Sequence, residues 1–202
     1  MTVRRSATGG RSSRPKAARR AGREFFDRPA DRVARELLGS TLSVRSGRRV
    51  RSVRIVETEA YLRNDPASHA FRGITERNKS MFSRPGTLYV YRIHQVVCAN
   101  LVARRGEAVL IRAGSVTGHP PTTASGPGRL CQFLGITRFD DGLDTVVGNR
   151  AAVRFRRKRT QAIRTGPRVG IRWAADRPLR FALAGEPAVS RPRSLRERGR
   201  HE

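Results

Sequence analysis

Arg54-Ile55-Val56-Glu57-Thr58-Glu59-Ala60-Tyr61 is short, β-branched and alternating, and it reads as a strand. A period of two assigns Ile55, Glu57, Glu59 and Tyr61 to one face and Val56, Thr58 and Ala60 to the other. Two carboxylates and a phenol therefore share a face, in a chain with 16 acids against 43 bases. Taken alone, the octapeptide fits the solvated face of a half-exposed antiparallel strand better than a site. Its surroundings change that reading.

Thr41 to Val44 and Val50 to Tyr61 read as two strands around the turn Arg45-Ser46-Gly47-Arg48. Order begins near Glu24-Phe25-Phe26. Pro29 and Asp31 suit the first turn of a helix, Val33, Leu37 and Leu38 form its apolar stripe, and Gly39 stops it. Beyond Tyr61 a polar loop, Asn64 to His69, leads to a short helix capped by Thr75 and running through Met81-Phe82. Pro85-Gly86 is a turn that launches the strand Thr87 to Ile93. This strand ends near His94-Gln95, and Val96 to Val102 returns from it. Ala108 to Ala113 adds a further strand, so the middle of the chain is an antiparallel meander.

Gly126-Pro127 opens a helix through Leu130, Phe133 and Leu134, with Gly135 just past its end. Asp140-Asp141-Gly142 is a turn. Val153 to Phe155, Arg168 to Trp173 and Leu179 to Leu183 are the closing strands. The expected organisation is a disordered basic tail over residues 1–22, one domain over 23–193 and a basic tail over 194–202, with fraying from Ser190 onward. Arg156-Arg157-Lys158-Arg159 is a cationic block, for which contact with DNA is a conjecture.

At 202 residues the chain suits one domain with a usable core, and its net charge of +27 attracts polyanions in a salt-dependent way. Of its bases 40 are Arg and 3 are Lys, which favours forked phosphate contacts. A general preference for Arg codons would give the same bias. Cys98 and Cys131 have no metal-ligand spacing and suit buried, reduced thiols. No membrane-length apolar run and no secretory h-region is present, so a soluble intracellular protein is expected, cytoplasmic and nucleoid-associated if bacterial. Nucleotide-binding, zincin, serine-hydrolase and zinc-finger patterns are missing. What remains is carboxylate, histidine, tyrosine and arginine, suited to acid/base attack of water on a bond attached to nucleic acid.

Several stretches together resemble the alkyladenine (3-methyladenine) DNA glycosylase family. They are Glu24-Phe25-Phe26-Asp27, the Arg54–Tyr61 octapeptide, Arg77-Asn78 with Met81-Phe82, and Pro85-Gly86-Thr87-Leu88-Tyr89-Val90-Tyr91. Val109 to Ala113, Ser125-Gly126-Pro127 with Leu130-Cys131-Gln132, and Arg168-Val169-Gly170-Ile171 follow in the same order. The resemblance runs from about 24 to 193. It implies an α+β fold, a single mixed domain with a curved antiparallel β-sheet surrounded by helices and a protruding DNA-inserting hairpin. It implies a monofunctional enzyme, free of metal and cofactor and most simply monomeric. Its partner would be double-stranded DNA with damaged purines. Alkylated or deaminated purines would be flipped out and their N-glycosidic bond hydrolysed, leaving an abasic site in base excision repair.

By the same resemblance Glu59 is the general base, and Arg112 positions the water and a nearby phosphate. Tyr61 and Tyr91 stack on the base, His69 belongs to the pocket, and Asn100 crowds the 2-amino group of normal guanine. Glu57 is read as support. The sequence departs from the family at the hairpin tip. His94-Gln95-Val96 stands where Tyr-Gly-Met is common, making His94 the intercalating residue. The loop between Tyr61 and His69 is about one residue short. Two rival readings stand beside this one: a catalytically inactive basic DNA-binding protein, and a sugar hydrolase with Glu57 and Glu59 as acid and base.

Overall fold

In the computed structural model the chain is described over residues 18–155, 161–191 and 196–197. The Arg156–Arg159 block and residues 1–17 of the expected 1–22 tail lie outside the described residues. The elements are β1 (Arg19–Arg20), α1 (Arg23–Phe26), α2 (Ala30–Leu37), β2 (Thr41–Ser46), β3 (Arg49–Tyr61), β4 (Leu88–Ile93), β5 (Val96–Val102), β6 (Ala108–Ser115), α3 (Pro127–Leu134), β7 (Ala151–Phe155), β8 (Ile163–Gly166), β9 (Arg180–Leu183) and β10 (Arg196–Glu197), with 3-10 turns at Lys79–Phe82 and Arg138–Asp140. One antiparallel sheet runs β1-β7-β2-β3-β6-β5-β4, while β9 pairs with β3 and β8, and β8 with β10. This is the expected α+β architecture.

The long strand β3 explains how the sheet curls. One of its edges is shared between two partners: β2 pairs along Arg49–Arg54 and β9 along Glu57–Glu59. On its other edge the ladder to β6 runs through Ile55↔Gly114, breaks register around Glu57↔Ala113, and resumes from Thr58↔Ile111. Irregularities of this kind bend a strand and re-aim its side chains. Strict alternation therefore fails at one point. Ile55 joins Val56 and Ala60 in the larger core, and only Glu57, Glu59 and Tyr61 keep the opposite face.

Helix α2 covers the large-core face. Ala30, Val33, Ala34 and Leu37 are fully buried, as a 3.6-residue period requires. Thr58 Oγ1 donates to the Ala34 carbonyl at 2.9 Å, fastening β3 to the helix. Gly39, at φ 86°, ends the helix in a left-handed conformation, and its N–H already pairs with the Ile55 carbonyl. A smaller core of Ala70, Met81, Tyr89, Tyr91, Cys98, Val102, Ala108 and Leu110 packs on the other face.

The β4–β5 hairpin is paired over its whole length, Leu88↔Leu101 to Ile93↔Val96. Its support from β6 is shorter, ending at Asn100↔Leu110. Beyond that point Gly114 N–H turns to the Ala124 carbonyl, and the outer hairpin rests on α3. A side chain at Gly128 would meet Val96 at 3.2 Å.

Four expectations are corrected. Arg168 to Trp173 is an irregular loop in which Val169 N–H goes to the Glu59 carboxylate rather than to a ladder; the strand lies earlier, at β8. Thr75 caps no helix: its N–H donates to Asn78 Oδ1, and Asn78 Nδ2 donates to the His69 and Gly73 carbonyls. Ser190 is not frayed but buried against Glu57, and in the expected C-terminal tail Arg196–Glu197 pairs with Thr165 and Arg164. Arg19–Arg20 pairs with β7 and Ala21 is buried, so order begins within the stretch expected to be a tail.

Candidate active site

Because β3 and β6 turn Glu59, Tyr61, Leu110 and Arg112 to the same side, and β4 and β5 add Tyr89, Tyr91, Cys98 and Asn100, a cavity of about 510 Å³ opens there. That is large enough for a heterocyclic ring system. All seven residues singled out from the sequence line it: Glu59, Tyr61, His69, Tyr91, His94, Asn100 and Arg112. Among the described lining residues Glu59 is the one carboxylate and none is a lysine.

Glu59 is fully buried and held from three directions. Oε2 accepts from the Tyr61 hydroxyl at 2.9 Å, Oε1 accepts from Val169 N–H at 2.9 Å, and Arg112 Nη1 lies 3.4 Å away. Burial raises its pKa above the ordinary value of 4.5. Arg112, Val169 N–H and the Tyr61 hydroxyl oppose the rise, and the neighbouring Glu57 adds to it least. Burial, followed by the Glu59 charge, likewise holds the Tyr61 proton well above the usual phenol range, so Tyr61 is the donor in their bond.

Glu57 lies two residues away but does not line the cavity. Its Oε1 accepts from Arg180 Nε at 2.6 Å and Ser190 Oγ at 3.0 Å, and Oε2 from Ser190 N–H at 2.7 Å. Arg112 Nε approaches it at 3.1 Å, so one guanidinium spans both carboxylates. This arrangement leaves the sugar-hydrolase reading without a second cavity-facing carboxylate.

The aromatic walls are tied together. His69 Nδ1 is 2.8 Å from the Tyr89 hydroxyl, and its ring meets Tyr91 edge to face with centroids 4.6 Å apart. His69 stays open to the pocket; desolvation, then the Arg77 charge, pulls its pKa below the ordinary value of 6.5. Asn100 Nδ2 donates to the Tyr89 carbonyl at 3.0 Å. The guanidinium of Arg168 sits 4.7 Å from the Tyr61 ring centre. Arg168 is itself fixed by Asp65 and by the Ala60 carbonyl at 3.0 Å. His94 stands at the hairpin tip, exposed, with φ 50°. A two-residue turn asks for such an angle, and it is uncommon for a residue with a Cβ.

Sequence reasoning passed over Tyr89, although the alternation that selects Tyr91 selects it equally. It also passed over Asp65, Arg168, Arg180 and Ser190, whose contacts Asp65–Arg168, Glu57–Arg180 and Glu57–Ser190 each span more than a hundred residues of chain. No local signal marks those. Among the described residues no cluster of three or more His, Cys, Asp or Glu could hold a metal ion, and no helix is long and apolar enough to cross a membrane.

Residues 24–187 match the family model described as methylpurine-DNA glycosylase. A protein of Rhizobium johnstonii is 40% identical over 183 residues, covering 84% of this chain and 89% of its own length. One from Agrobacterium fabrum is 43% identical over 181 residues, with 83% and 90% covered, and one from Mycobacterium tuberculosis is 41% identical over 181 residues, with 78% and 87% covered. All three carry the name "Putative 3-methyladenine DNA glycosylase". With four-fifths of its length inside the matched region, a cavity holding one buried carboxylate and a ring of aromatic walls, the chain belongs to the methylpurine-DNA glycosylase family.

Proposed function

We propose that this DNA glycosylase draws a damaged purine out of duplex DNA into the cavity, with Glu59 as general base for hydrolysis of the N-glycosidic bond. Tyr61, Tyr91 and His69 grip the extruded base by stacking and edge contacts. Asn100, on the strand facing Tyr89, crowds the 2-amino group that distinguishes normal guanine. A water beside Glu59 and Arg112 attacks C1′ and gives its proton to the carboxylate. The new C1′–O bond forms as the bond to the base breaks, and the base leaves with that electron pair. Arg112 aligns the water and stabilises the ionised form of Glu59. His94 fills the space the base has left.

One observation carries this reading: a single buried carboxylate opens into a cavity walled by aromatic rings, with its remaining contacts limited to one hydroxyl, one amide and one arginine. No lysine stands among the described lining residues, which favours water over an amine as nucleophile. Action on DNA as a monomer in the cytoplasm completes the proposal. The test is abasic-site formation on duplexes carrying alkylated purines or hypoxanthine. Release of free base supports it. Tight binding of the same duplexes without release would favour a DNA-binding protein that performs no chemistry.

A further inference from the structure

Most of the large exposed apolar residues are scattered, but three gather at the cavity mouth: Ile93 and Val96 on the hairpin and Trp173 in the loop before β9. Trp173 is the chain's single tryptophan and is 69% exposed. The loop that presents it is pinned rather than slack. Arg168, anchored on Asp65 and the Ala60 carbonyl, reaches the Ala174 carbonyl at 3.4 Å, and Arg177 N–H donates to the same oxygen at 3.3 Å. Ala174 is held at φ 47°, a left-handed conformation uncommon for a residue with a Cβ. Val169 N–H binds Glu59, so the same loop touches the base at one end and displays an indole at the other.

The topology fixes where that indole stands. β9 lies against one edge of β3, whereas the hairpin closes the far edge of the run β3-β6-β5-β4. Trp173 and His94 therefore reach the mouth from opposite edges. Arg172, exposed beside Trp173, also lines the cavity. An apolar ring flanked by a cation at the entrance to a base-sized cavity matches the two parts of a nucleotide, a π-face and a phosphate. A second copy of this chain is a poor occupant, because a net charge of +27 repels itself.

We infer that Trp173 is a second DNA-stacking residue. Its indole packs on a base bordering the vacated position, across the mouth from His94, and Arg172 meets the adjoining phosphate. The inference rests on the base-extrusion reading above. It also accounts for a tip whose imidazole covers less of the stack than a phenol would.

A single tryptophan makes the test direct. Wild-type protein is titrated with a duplex carrying a central tetrahydrofuran abasic analogue, with binding followed independently by anisotropy of an end label. At saturation the indole emission should change and its quenching by acrylamide should fall. Trp173→Ala should bind on the order of tenfold more weakly and Trp173→Phe nearly as tightly as wild type, both with unchanged melting temperature. Unchanged emission and acrylamide quenching at saturation, or wild-type affinity in Trp173→Ala, would overturn the inference. So would an emission change that follows protein concentration without DNA. Because the analogue has no base to release, failure here is separable from failure of the functional reading. Protein that shields Trp173 on DNA yet frees no base keeps the contact and removes the hydrolysis.

Discussion

Glu57 and Glu59 share a strand, a face and complete burial, yet the molecule treats them oppositely. Glu57 is closed off by Arg180, Arg112 and both donors of Ser190, and it does not line the cavity. Glu59 has one hydroxyl, one amide and a longer approach from Arg112, and it opens to the cavity. Burial costs a carboxylate solvation in both places, and what separates them is how fully partners replace it. A saturated carboxylate is architecture, while an under-satisfied one at a cavity wall is reactive.

The largest effect expected from this contrast is on chemistry. Glu59→Gln keeps the shape but cannot accept a proton, so base release should fall by roughly 10²–10⁴-fold with lesion binding retained. Turnover near the wild-type rate would break the comparison at its reactive end. Glu57→Gln should act on stability instead, since it removes the charge that faces the fully buried Arg180 at 2.6 Å and is shared with Arg112. A loss of about 3 kcal/mol, on the order of 10 °C in melting temperature, is expected. A Glu57→Gln protein as stable as wild type would show that the two carboxylates are interchangeable as structure.

The pH dependence sharpens the contrast. The folded pKa of Glu59 lies above its ordinary 4.5, so the folded state binds the proton more tightly than the unfolded chain. Its contribution to stability is therefore fully present below about 4.5 and is lost as pH rises through the folded value. Glu59→Gln escapes that loss. At neutral pH it should melt no lower than wild type, and the advantage should vanish in acid. A Glu59→Gln protein that melts well below wild type at pH 7 would mean that its contacts outweigh its burial. The acid limb of base release should likewise sit above the ordinary carboxylate range.

The smallest effect belongs to the rim, remote from both carboxylates. His94→Ala should bind lesion duplexes roughly fivefold more weakly, the low end for one stacking contact, and lose less on undamaged DNA. Melting temperature and single-turnover rate at saturation should hold. If lesion affinity and flipping of 2-aminopurine are both untouched, the wedge is another residue.

Much of this was legible in the chain. The Pro85–Tyr91 turn and strand, the Gly126-Pro127 helix start and the Gly39 stop are local signals, and each formed where it was read. Five of the seven site residues lie on strands β3 to β6, with His94 on the turn between β4 and β5 and His69 in the loop after β3, and the sheet brings all seven to one cavity. The slip of register on either side of Glu57 was not legible; it lies where the opposite edge of β3 passes from β2 to β9. Nor was the Arg168–Trp173 loop, whose alternating Val169, Ile171 and Trp173 imitate a strand. Its conformation is set by Asp65 and Glu59, a hundred residues earlier. In a chain with forty arginines, nothing nearby distinguishes the buried Arg168 and Arg180 from the solvated ones.

In mechanical terms the β4–β5 hairpin is a cantilever. Its clamp is the three-pair ladder to β6 that ends at Asn100, and its arm, propped by α3 at Val96, carries Ile93 to Val96. Load applied at such a tip is greatest as bending moment at the clamp. Here the clamp residue is Asn100, whose amide holds the Tyr89 carbonyl in the pocket wall. A duplex pressing on the arm would thus be felt where the extruded base is inspected. Amide hydrogen exchange gives the stiffness directly: the Val96 and Val97 amides should exchange well ahead of those from Asn100 to Val102, and bound DNA should narrow the gap.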